Sequence, residues 1–120
     1  MKRNRFELLQ QIRRRRLDAC RLQLVGVGQC ERVLRSRLDE MACGVRLTFS
    51  EQRQAVEAGG IDVGGVVECR RRRAELQGAC DMLSRQSGLV REVLELARTN
   101  LEAAVREVDV IEKLVERAAV

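Results

Sequence analysis

The sequence predicts an all-α protein, a long two-helix antiparallel coiled-coil hairpin. Three observations carry that reading: two stretches repeat apolar residues at alternating spacings of three and four, a glycine-rich segment separates them, and the two arms carry opposite charge. A narrow stripe of two apolar positions in seven is the seam of a coiled coil, whereas a globular helix shows a broader apolar face.

The first stretch runs through Leu17, Cys20, Leu24, Val27, Glu31, Leu34, Leu38, Met41, Val45 and Thr48, with Glu31 and Thr48 as polar breaks. The spacing predicts a first helix over residues 4–57, about 80 Å long at 1.5 Å per residue. Gly26 and Gly28 lie inside it, and each costs roughly 1 kcal/mol relative to Ala, so a local defect is expected there. Gly44, Gly78 and Gly88 soften the pattern further.

The connection is predicted over residues 58–65, where two Gly-Gly pairs, Gly59-Gly60 and Gly64-Gly65, bracket Asp62. Glycine pairs punctuate helices, and an aspartate at this place suits the cap of the next one. The second helix is expected over residues 65–118. Its seam is Val66, Cys69, Arg73, Leu76, Cys80, Leu83, Ser87, Val90, Leu94, Ala97, Leu101, Ala104, Val108, Ile111, Val115 and Ala118, broken by Arg73 and Ser87.

Charge gives an independent argument for antiparallel folding. Residues 1–21 are strongly basic, with Lys2, Arg3, Arg5, Arg13, Arg14, Arg15, Arg16 and Arg21 against Glu7 and Asp18, while residues 92–120 carry seven acidic side chains against four basic ones. A turn centred near Asp62 brings residue i to roughly residue 124 − i, which sets the arginine quartet near Glu107, Asp109 and Glu112. The run Arg70 to Arg73 correspondingly approaches Glu51 and Glu57. Such flanking pairs select orientation more than they add stability.

Composition narrows the function. Phe6 and Phe49 are the only aromatics among 120 residues, there is no Pro, and 34% of residues are charged, which suits a slender structure with little core. The five cysteines, Cys20, Cys30, Cys43, Cys69 and Cys80, form no CxxC pair and have no histidine to complete a zinc site, so neither a metal nor a disulfide framework is expected. Their use points to a reducing, cytosolic setting. Glu7, Gln10 and Gln11 break the apolar character of the first arm, so no signal peptide is read there, and no apolar run reaches the roughly 20 residues of a membrane span.

Catalysis has no foothold in this composition: no histidine, no phosphate-binding loop and no cofactor motif is present. The two arginine quartets suit phosphates in chemistry, but four consecutive residues point around the whole helix, and no aromatics interleave to stack on bases. Nucleic acid is therefore not expected as a partner. Phe49, off the seam register beside Ala42 and Val45, is a candidate docking anchor, and closure of the last hairpin turns is its equal alternative.

The basic first arm, the two heptad helices, the tip Ala58-Gly59-Gly60-Ile61-Asp62 and the ending Val110-Ile111-Glu112-Lys113-Leu114-Val115-Glu116-Arg117 resemble the FliJ family, the stalk-like proteins of the bacterial flagellar type III export apparatus. The stalk proteins of virulence secretion systems share that pattern, and a virulence type III secretion stalk is the alternative reading within the same class. The resemblance implies a non-enzymatic stalk, without cofactor, that couples a hexameric export ATPase to an export-gate membrane protein, with export chaperones as further partners. It implies a cytoplasmic protein at the inner face of the membrane, not inserted into it. It assigns gate contact to Leu38, Ala42, Val45 and Phe49 on the first helix and to Arg72, Leu76, Ala79 and Leu83 on the second. The aromatics often found at the sites of Val45 and Arg72 are missing here. The basic residues Lys2, Arg3, Arg5 and Arg13 to Arg16 are the expected ATPase-facing set. A homodimeric structural coiled coil is the alternative from another class.

Overall fold

The computed structural model describes residues 2–57 and 59–119, with side chains from Arg5 onward. Two long helices, α1 (Lys2–Glu57) and α2 (Val63–Ala119), account for nearly all of it and form an antiparallel hairpin, with no strand among the described residues. The predicted fold class is the observed one. Helix α1 runs through Gly26, Gly28 and Gly44 without interruption, so the defect expected at the first two is not there. The reason is continuity of the seam around them: Leu24 and Val27 are both withdrawn from solvent.

Between the helices the backbone turns on local chemistry. Gly59 has φ +75°, a left-handed conformation that any side chain would strain, and its N–H donates to the Glu57 carbonyl at 2.9 Å. Asp62 then caps α2. Its Oδ1 accepts from the Gly65 N–H at 3.1 Å, its carbonyl accepts from Val66 N–H at 3.0 Å, and its own N–H donates back to Ala55 at 3.2 Å. This cap starts α2 at Val63, two residues earlier than the glycine pair indicated. A Cβ on Gly65 would stand 2.6 Å from the Asp62 carboxylate, so the glycine leaves room for the capping group. Asp62→Ala is expected to cost about 1 kcal/mol, measured by chemical denaturation; no change would show that the cap is not used in solution.

Contacts divide the chain into two compact units. One joins α1 up to Cys30 with α2 from Val90 onward, and the other is Glu31–Leu89. In the first, Leu17, Cys20, Ala104 and Val108 form a buried cluster, with Leu101 packed against it. Small residues at Cys20 and Ala104 let the two helices approach closely, and Ala104 is entirely shielded from solvent. Leu94, Ala97 and Ile111 extend the buried seam along α2.

In the second unit the seam is thinner and holds more polar groups. Cys69 and Thr48 are buried, and the Thr48 hydroxyl donates to the Val45 carbonyl at 2.6 Å, which satisfies it within its own helix. Leu76 packs over Gly44, where an added Cβ would meet the leucine at 3.2 Å. Every predicted seam residue is at least partly withdrawn from solvent except Ala118. Cys20, Cys69 and Cys80 serve there as small apolar side chains, while Cys30 and Cys43 are exposed; all five are free thiols.

Candidate functional site

The unit containing the turn presents one aromatic anchor. Phe49 is 48% exposed, consistent with a position just off the seam. The Arg73 guanidinium lies over its ring at 4.1 Å from the centroid and also donates to Gln52 Oε1 at 2.7 Å. Arg73 occupies a seam position, and its long stem explains how the seam tolerates it: the apolar part stays at the helix contact while the charge leaves sideways onto the ring. The ring is thus held in place before any partner arrives.

Arg72, one residue earlier, points to the other flank and is hydrogen-bonded to Glu51, with Cys69 Sγ at 3.9 Å. The Glu51 carboxylate, then the Cys69 sulfur, raise the guanidinium pKa further above its ordinary value. Arg71 bonds Glu68 and Glu75 on its own helix, and its hydrogen bond holds the Glu68 carboxyl below the usual carboxylate range. Three of the four arginines therefore differ by position, Arg72 as a cross-helix strap, Arg71 as an intrahelical strap and Arg73 as a ring cover, while Arg70 is exposed. It makes no continuous cationic stripe.

The residues assigned to gate contact by resemblance divide in two. Ala42, Phe49 and Arg72 are exposed, whereas Leu38, Val45, Leu76 and Leu83 are half-buried at the helix contact, as is Ala79 beside it. Ala42 and Phe49 share one flank open to a partner, whereas Arg72 lies on the other flank, tied to Glu51. Arg73 and Gln52 were not singled out by sequence for this surface, although the antiparallel register sets both near Phe49 or Glu51.

The other unit carries the basic arm. Arg13 and Arg16 both pair with Glu107 at 3.2 Å, and Arg14 pairs with Glu112 at 3.0 Å, as the charge pattern of the arms predicts. Arg5 and Arg15 are exposed and have no ion-pair partner among the described residues; the side chains of Lys2 and Arg3 lie outside those described. The exposed pairs contribute little stability, about 0 to 1 kcal/mol each, but they favour the antiparallel register.

No group of His, Cys, Asp or Glu side chains among the described residues converges in a way that holds a metal ion. Among the described residues, no helix is long and apolar enough to cross a membrane. In comparison with known proteins, no family model matches the chain, and no curated protein or solved structure matches it either.

Proposed function

We propose that this chain is a non-enzymatic stalk of the flagellar type III protein export apparatus, similar to FliJ proteins. In this reading the unit with the basic arm engages the hexameric export ATPase, the unit with the turn engages the export-gate membrane protein, and export chaperones are further partners. It acts in the cytoplasm, at the inner face of the membrane.

The observation that supports this most is the exposed ring of Phe49, with Ala42 one heptad before it on the same flank, at positions that match the family's gate-facing set. The other unit adds Arg5 and Arg15, exposed and without ion-pair partners among the described residues. Free cations speed encounter with an acidic surface and make it sensitive to salt. A ring already fixed by Arg73 gives an aromatic anchor that loses little freedom on docking.

One experiment with two variants tests the assignment. Arg5→Glu with Arg15→Glu is expected to slow association with the export ATPase and flatten its salt dependence, with gate binding unchanged. Phe49→Ala is expected to weaken gate binding about tenfold with ATPase association unchanged. Loss of both partners in both variants, with helicity retained, or of neither partner in either, would overturn the division of labour.

A further inference from the structure

The unit with the basic arm holds a groove of about 360 Å³ beside the seam, which reaches it only at Ile111. Its floor and walls include Leu9 and Arg13 of α1 and Ala103, Val110 and Leu114 of α2. Along α2 the groove continues a second apolar series, Val93, Leu96, Ala103, Val110 and Leu114, interrupted at Asn100 and Glu107. Each of these positions lies one residue before a seam residue, so the series repeats the alternating three and four spacing on the neighbouring face. Leu96 and Val110 are 63% and 60% exposed, far from what either would be if the seam used them.

A periodicity of 3.5 residues on an uncovered face is the pattern that another helix reads, since knobs at those positions meet the holes of a straight partner. A lipid surface imposes no such spacing. Charge decides what kind of helix fits. Glu107, the acid inside the groove, is already tied to Arg13 and Arg16. Arg106 lines the groove and Lys113 lies one heptad further along α2; both are exposed and have no ion-pair partner among the described residues. A second copy docked by the same face would bring its own Arg106 and Lys113 beside these, where like charges oppose docking.

We infer that this groove binds an amphipathic α-helix of another protein, one with a heptad apolar stripe flanked by acidic side chains. The site shares Arg13 with the ATPase-facing set but is distinct from Arg5 and Arg15 and from the Phe49 surface, and it stands whether or not the export reading does. Leu96, Val110 and Leu114 supply the apolar contact, and Arg106 and Lys113 set the sign of the partner.

The test uses the full chain and two fluorescent synthetic peptides of four heptads, identical in their leucine seam and flanked by Glu in one and Lys in the other. The acidic peptide is expected to bind at least about tenfold more tightly by anisotropy. Val110→Glu, a change at an exposed position, is expected to abolish that binding while helicity by circular dichroism is kept. Arg106→Glu with Lys113→Glu is expected to reverse the preference between the two peptides. Equal affinity for both peptides, or full binding to the Val110→Glu chain, would overturn the proposal. So would a chain dimer in sedimentation that Val110→Glu dissolves, since the occupant would then be a second copy.

Discussion

Ile111→Ala is expected to destabilise the protein by about 3 kcal/mol, the largest effect of any single truncation. Ile111 is 1% exposed and is the largest side chain among the described residues that is shielded from solvent. A two-helix seam has little surrounding material to refill the space, so the loss combines the transfer of the removed methyls with an unfilled cavity. The adjacent Val110, 60% exposed, is the control: Val110→Ala should change stability by less than about 0.5 kcal/mol. Denaturation of the two variants side by side measures the contrast. Similar losses in both would mean that the seam register is displaced by one residue.

The effect of opposite sign comes from glycine. Gly26, Gly28, Gly78 and Gly88 lie inside helices, none has positive φ, and a Cβ added at any of them would meet nothing within 4 Å. Each Gly→Ala change should stabilise the protein by roughly 0.8 to 1 kcal/mol through helix propensity alone. The sites touch no common partner, so the fourfold variant should gain about 3 kcal/mol or more, seen as a higher midpoint in thermal melts. Gly59→Ala and Gly65→Ala serve as the contrast, because the first would strain a positive φ and the second would press on the Asp62 cap. A fourfold variant no more stable than the parent would show that those segments are not helical in solution.

The seam was legible because its period is a one-dimensional signal. Apolar residues spaced by three and four fall on one stripe whatever the rest of the chain does, and only Ala118, in the last turn, fails to be covered. The ion pairs of Arg13, Arg14 and Arg16 were legible for a similar reason: a turn near Asp62 fixes which residues face each other. The start of α2 was not, since glycine propensity argued for a longer loop while the Asp62 cap, which needs the Gly65 N–H, argued for a shorter one. Capping prevailed. The cover on Phe49 was missed because Arg73 reads in sequence only as a break in the seam, whereas its stem lets one residue fill a seam position and reach a ring on its flank. The second apolar series on α2 shares its period with the seam and is hidden beside it.

Everything above depends on the two arms pairing within one molecule, because the free cations, the groove and the Phe49 cover are all built by residues from both arms or beside their contact. Electron–electron distance measurement between spin labels at Arg5 and Arg117, both exposed, tests this most directly. Helices packed side by side have axes about 8 to 10 Å apart, so the labels should report a short distance that persists unchanged when labelled chain is diluted into excess unlabelled chain. A short distance that disappears on dilution would mean that the arms pair between two chains, and no short distance at all would mean that they do not pair.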